Sequence, residues 1–284
     1  MPLSETPKVV VLARHDLEAA QRLVAAAGWN QVVADWEMFL EDGRIFGCKD
    51  EQGRIVATAA TMPYRQVGWI SLMLVDEGWR RRGLATRLMT ACIDTLEGAG
   101  LTPALDATPV GREVYLQMGF RDVLPLTRWA AQSPAAGKAT TGGVRALAND
   151  DIEAVVKLDL PIFEGGRRRL LERLMARSRD AACVAIAEGA VEGFLLGREG
   201  RVFTHLGPLF APSLKVAAEL LEHALGRQPG PTNLDVPDAQ REFGRWLATR
   251  GFAPQRTIMR MVRSPRAPEL ASDTLFAVAG PDLG

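Results

Sequence analysis

The stretch Val67-Gly68-Trp69-Ile70-Ser71-Leu72-Met73-Leu74-Val75 runs into Asp76-Glu77-Gly78-Trp79 and then Arg80-Arg81-Arg82-Gly83-Leu84-Ala85-Thr86. The first nine residues are almost wholly apolar and read as a buried central strand. Asp76-Glu77-Gly78 is a turn. Residues 82–96 place Leu84, Leu88, Cys92 and Leu96 on one face of a helix, and Gly98-Ala99-Gly100 closes it. A strand, a turn and a helix N-terminus make an anion site, because free N–H groups point outward there and the helix dipole adds positive charge. Gly83 removes a side chain where a phosphate must come close, and Ala85 keeps the next exposed position small. The arginines add charge-assisted hydrogen bonds. Taken alone, three arginines are equally a solvated basic turn; their place between an apolar strand and an amphipathic helix favours the anion site.

The pattern extends in both directions. Upstream, 9–13 reads as a strand, 15–27 and 32–40 as helices, and 44–48 and 54–62 as strands. Downstream, 103–107 is a strand, 111–118 a helix and 120–130 a strand. The small-residue run 132–143 then reads as a linker. After it the order repeats: strand 144–147, helices 150–158 and 167–176, strands 181–187, 191–196 and 202–210, helix 214–225, strand 233–236, helix 240–249, strand 252–262. Local matches support a repeat of about 130 residues, too long for a solenoid and fitting two copies of one domain. Leu105-Asp106-Ala107-Thr108-Pro109 mirrors Leu234-Asp235-Val236-Pro237, and Gly119-Phe120 mirrors Gly251-Phe252. The expected division is 1–131, a linker at 132–143, and 144–284, with the segment from Ser264 packing as an irregular extension.

Composition narrows the classes. With 284 residues, 47% hydrophobic and 24% charged, the chain reads as an ordinary soluble α/β (α+β) protein of two domains. Lysine and arginine balance aspartate and glutamate at 34 each, which gives no footprint for nucleic acid or a membrane surface. Cys48, Cys92 and Cys183 are far apart, with no zinc spacing, and suit a reducing compartment. No signal peptide opens the chain, and no stretch approaches the ~20 apolar residues of a membrane helix, so the cytoplasm is the expected location.

At residues 80–85 the sequence resembles the GNAT superfamily of N-acetyltransferases, whose pyrophosphate signature is Arg/Gln-x-x-Gly-x-Gly/Ala. The resemblance implies acetyl-CoA as cofactor and CoA as product. It implies two tandem domains, each a mixed, mostly antiparallel sheet flanked by helices. It places the pyrophosphate against Arg80, Arg81, Arg82, Gly83, Leu84, Ala85 and Thr86, and the pantetheine arm against the backbone of Met73, Leu74 and Val75. Tyr115, four residues before Gly119-Phe120, stands where family members carry the acid that protonates the departing thiolate, a sensible task for a phenol. It is otherwise a core aromatic with a bonded hydroxyl. Thr108 stands seven residues earlier, where many members have asparagine, as a cofactor contact. The family has no fixed motif for the general base, so Asp106, Glu37 and Asp35 are candidates from their positions, Asp106 first. No histidine forms a triad with a serine or cysteine.

The second copy lacks this chemistry. Its corresponding loop, Phe210-Ala211-Pro212-Ser213-Leu214, is shorter, has no glycine, and loses a donor at Pro212. Leu247 stands where the tyrosine would be. The second copy is therefore expected to be degenerate, covering the first copy's substrate cleft or stabilising the fold. The shared Leu-Asp segments and residues 277–284 resemble tandem members of the superfamily, the YitH-like acetyltransferases. Three functions follow from these readings. The first is acetyl transfer to the primary amine of a small molecule by direct transfer in a ternary complex, in a monomer or homodimer. The others are a non-catalytic CoA or metabolite sensor, and a protein or peptide N-acetyltransferase.

Overall fold

A computed structural model describes residues 7–135, 143–160, 163, 166–177, 180–264, 270 and 272–284. The chain forms two compact units, Met1–Leu105 and Asp106–Gly284.

The first unit contains β1 (Val9–Val11), α1 (Leu17–Ala26), α2 (Val33–Asp42), β2 (Arg44–Lys49), β3 (Ile55–Pro63), β4 (Val67–Val75), α3 (Leu84–Gly98) and most of β5 (Thr102–Ala107). Its strands run in sequence order, antiparallel except for the parallel pair β4–β5. Two glycines show how the helices are distributed. A methyl group on Gly47 would lie 2.8 Å from Leu12, which leads into α1; one on Gly68 would lie 2.2 Å from Leu96 of α3. Gly47 pairs with Thr58 and Gly68 with Pro63. Positions 58 and 63 of one strand point to opposite faces. The chain entering α1 and the helix α3 therefore cover opposite faces, and at both points a leucine side chain packs into the space that a glycine leaves open. Trp36, Phe39 and Trp69 are wholly buried in this core.

β4 is the irregular strand. Thr58 pairs with Leu74 but Ala60 pairs with Ser71, so β4 carries an extra residue. The bulge places Leu72 at a φ of 52°, and the Thr58 hydroxyl donates to the Leu72 carbonyl at 2.9 Å. Among the described residues β4 pairs with β5 only from Val67 to Trp69; beyond that the two strands part.

The second unit contains α4 (Pro109–Gln117), β6 (Arg121–Ala131), β7 (Val144–Ala146), α5 (Ile152–Asp159), α6 (Arg168–Arg177), β8 (Cys183–Ala187), β9 (Ala190–Arg198), β10 (Thr204–Phe210), α7 (Leu214–Arg227), β11 (Thr232–Pro237), α8 (Arg241–Thr249), β12 (Ala253–Val262) and β13 (Leu275–Ala277). Its sheet order is β12-β6-β11-β10-β9-β8-β7, with β13 attached to β10. The mixed, mostly antiparallel sheets flanked by helices that the sequence implies are present. The strands and helices read from hydrophobic spacing lie within a few residues of their expected bounds. β13 differs: the segment expected to be irregular contributes a buried strand. Residues 136–142 of the expected linker lie outside the described residues.

The copied pattern and the packing divide the chain at different places. By sequence β6 closes the first copy, yet it pairs with β11 on one side and β12 on the other. The exchange extends to charge. Arg128 and Arg260 each stand nine residues after the glycine of a Gly-Phe pair, Gly119 and Gly251, and so occupy matching positions. Arg260 donates to both carboxylate oxygens of Asp106 at 2.9 Å. Arg128 donates to both oxygens of Asp235 at 2.7 Å. Each copy's aspartate thus holds the other copy's arginine. No helix among the described residues is long and apolar enough to cross a membrane.

Candidate active site

Asp76 organises the turn after β4. Its Oδ1 accepts from the Gly78 N–H at 3.2 Å and its Oδ2 from Arg22 Nη1 at 3.0 Å. The Arg22 hydrogen bond, with the Gly78 N–H, holds its carboxyl below the usual carboxylate range despite partial burial. The Arg82 guanidinium stacks 4.6 Å above the Trp79 ring, and Arg80 Nε donates to the Val75 carbonyl at 3.4 Å. The backbone then turns left-handed twice, at Arg81 (φ 59°) and at Gly83 (φ 75°), the N-cap of α3. A non-glycine residue pays for such a conformation, so the strain at Arg81 marks a constrained loop.

The helix end is left open. The first bond into α3 runs from the Arg87 N–H to the Gly83 carbonyl at 3.1 Å. The N–H groups of Leu84, Ala85 and Thr86 therefore have no acceptor inside the helix. Gly83 supplies no side-chain cap, and a methyl group built on it meets nothing within 4 Å. Leu84 is buried and fixes the helix; Arg80, Arg81, Arg82, Gly83, Ala85 and Thr86 are exposed. Met73, Leu74 and Val75 lead into this turn on the part of β4 that has parted from β5. The arrangement is a cradle for an oxyanion next to a strand edge that β5 leaves unpaired past Trp69 and where Arg80 reaches the Val75 carbonyl, which fits a pyrophosphate continued by an amide-bearing arm.

Ser71 was not legible as a site residue. It is buried, it adjoins the Leu72 bulge just past the last β4–β5 pair, and its hydroxyl has no hydrogen-bond partner among the described residues. Pairing with Ala60 puts it on the Thr58 and Gly47 face, toward the entry into α1. A serine in an otherwise apolar strand is the one signal the sequence offered.

The remaining candidates lie as follows. In the second unit, Thr108 is the N-cap of α4, where its hydroxyl accepts from the Gly111 N–H at 3.3 Å. Tyr115 is half-buried near the end of α4, its ring 6.1 Å from that of Phe120. Asp106 is wholly buried with both oxygens engaged by Arg260. Burial pushes its carboxyl above the ordinary range, more than Arg260 pulls it down. Asp235 fills the matching place in the second copy and has the same two-oxygen contact with an arginine. In the first unit, Asp35 is buried and accepts from the Val32 N–H at 2.8 Å as a capping residue of α2. Glu37 pairs with Arg14 at 2.5 Å.

The corresponding features of the second copy are closed. Ser213 caps α7 itself, accepting from the Val216 N–H at 3.4 Å, and Leu247 is buried in the core. His205 lies between Asn233 Oδ1 at 2.9 Å and the Val278 carbonyl at 3.2 Å. Burial, reinforced by Arg198, holds its ring down at about 4. Asp235 is opposed by the cost of burial, but Arg128 and His205 outweigh it and hold the carboxyl at about 2.

Comparison with known proteins places these features in a family context. A profile of the acetyltransferase (GNAT) family matches residues 13–120, and an acetyltransferase (GNAT) domain profile matches residues 155–277. The chain is 24% identical over 279 residues to the uncharacterised N-acetyltransferase YitH of Bacillus subtilis (strain 168), covering 98% of each. It is 32% identical over 153 residues to an aminoglycoside 2'-N-acetyltransferase of Mycolicibacterium fortuitum, covering 51% of this chain and 73% of that one. Among solved structures, a putative acetyltransferase from Pyrococcus horikoshii superposes with a TM-score of 0.83 at 21% identity, over 100% of this chain and 98% of that one. A tandem GNAT protein from the clavulanic acid biosynthesis pathway superposes with a TM-score of 0.63 at 14% identity, over 92% and 99%.

Proposed function

Because the chain belongs to the GNAT family of acetyltransferases, with two of its domains in tandem, we propose that it acetylates a primary amine of a small molecule from acetyl-CoA, by direct transfer in a ternary complex. The observation that carries the donor half is the uncapped N-terminus of α3 at Gly83, set beside the free edge of β4. Bound there, acetyl-CoA supplies an activated thioester. The N–H groups of Leu84, Ala85 and Thr86 and the charges of Arg80, Arg81 and Arg82 hold the pyrophosphate. The backbone of Met73, Leu74 and Val75 aligns the arm as an added strand would. Thr108, already a helix cap, keeps its O–H donor and its second lone pair for a cofactor contact. Tyr115 supplies the proton that the leaving thiolate takes up. We assign Asp106 to the fold rather than to proton abstraction, since both its oxygens are taken by a guanidinium. The likeness to an aminoglycoside acetyltransferase supports a small amine as acceptor.

The test is thiol release from acetyl-CoA over a panel of aminoglycosides, polyamines and simple alkylamines. Turnover with at least one amine is expected, together with a thermal upshift on adding CoA. The reading fails if the protein shows neither. Tyr115→Phe is expected to bind acetyl-CoA normally and to lower kcat by about a hundredfold, the low end for loss of a general acid. An unchanged kcat across the pH range removes the tyrosine from the mechanism.

A further inference from the structure

In the second unit β10 and β11 start as a parallel pair, Thr204 with Thr232 and His205 with Asn233, and then part. The gap between them is filled by the chain itself. The Ala211 N–H donates to the Thr274 carbonyl at 3.0 Å, and Leu275 and Ala277 pair with Phe210 and Leu209. On the other side the Val278 N–H donates to the Asp235 carbonyl of β11 at 3.0 Å. The segment is pinned from several directions. His205 Nε2 lies 3.2 Å from the Val278 carbonyl, and Arg198 donates to the Ala279 carbonyl at 2.5 Å and to Asp282 at 2.9 Å. Phe276 packs edge-on against Phe243, with ring centres 5.3 Å apart. Residues 275–280 are buried throughout.

The residues that receive this segment are informative. Leu209, Phe210 and Ala211 lie just before the turn into α7, as Met73, Leu74 and Val75 lie just before the turn into α3. We propose that residues 274–278 are a built-in occupant of the second copy's acyl-donor slot. The strand edge that the first copy offers to the amides of a pantetheine arm is offered, in the second, to the chain's own amides. This rests on the donor reading given under Proposed function. A tethered strand sits at an effective concentration of about millimolar or more, so it outcompetes a dissolved ligand for the same edge. The protein then holds one acyl-CoA per chain, and the second copy's slot does not exchange its contents.

Backbone hydrogen exchange on the full chain, with and without saturating acetyl-CoA, tests the assignment alongside calorimetric stoichiometry. The amides of Val278 and Ala279 should be as protected as those of β10, unchanged by acetyl-CoA, while amides of residues 73–75 and 84–86 gain protection and one equivalent binds. Phe276→Ala should speed exchange across residues 275–279 by about tenfold or more through local opening, leaving acetyl-CoA affinity unchanged. Exchange at free-peptide rates in the unaltered protein, loss of protection on adding acetyl-CoA, or two bound equivalents would each overturn it. Protected amides with no acetyl-CoA bound would instead remove the donor reading of the first copy, and the slot assignment with it.

Discussion

Helices α3 and α7 are 15 and 14 residues long, and each follows an apolar strand across a short turn. They differ in how the first turn is completed. Ser213 accepts from the Val216 N–H, so one of the first-turn donors of α7 is taken up by its own chain. Gly83 has no side chain to do so, and α3 keeps its N–H groups for something else. One capping residue thus distinguishes the two helix ends, because the dipole is the same in both and only α7 has an N-cap side chain that takes up an N–H. The contrast gives the second copy the look of a finished, self-satisfied fold and the first the look of one completed by a ligand.

The comparison can be broken where the copies are most alike. Asp106→Asn leaves Arg260 buried beside a neutral amide and should cost about 3–5 kcal/mol of stability; Asp235→Asn should cost the same through Arg128. Urea unfolding of both checks this. A loss of turnover in Asp106→Asn with stability intact would restore that carboxylate to the chemistry. The buried imidazole has no counterpart at the matching strand in the first copy. A His205 ring depressed to about 4 lets the unfolded chain bind the extra proton between pH 6.5 and 4. Stability is therefore complete above that window and falls through it with acidification, by about 3 kcal/mol. His205→Gln should flatten the profile there, while the loss from Asp235, whose carboxyl is held at about 2, persists below pH 3.8. Unfolding free energies across pH 4–7 decide it.

The capping contrast itself yields the next effect. Gly83→Asn keeps a residue that tolerates the left-handed backbone but fills the cradle, and should weaken acetyl-CoA by about a hundredfold, ~2.7 kcal/mol. Ser213→Gly should leave that affinity alone and cost only a few tenths of a kcal/mol. Titration calorimetry of the two variants reverses the contrast if Ser213→Gly is the one that loses the ligand. Smallest is Ser71→Ala. Removing a buried hydroxyl with no partner among the described residues should leave the protein as stable as before or barely firmer, and thermal unfolding reads it directly.

What was legible follows the range of the forces involved. Helices and strands announced themselves because apolar spacing is local, and the α3 cradle because a glycine after three arginines stands between an apolar strand and a helix start. The pairing of β6 was not legible: its alternation says that it is buried, not that both neighbours come from the other copy. Asp106 had the composition of a base and the environment of a tie-bar, and its partner Arg260 lies 154 residues away. β13 was hidden because Leu275, Phe276 and Ala277 are too few to separate a strand from an apolar turn, and only the gap beside β10 gives them one.

The crossed arginines carry a consequence for ancestry and for engineering. Each half of the chain keeps the counter-ion for the other's buried carboxylate, so neither half is a spare. A duplication arranged in this way resists being undone: removing either copy takes away the arginine that the other copy's aspartate holds. The two copies are tied to one another by charge.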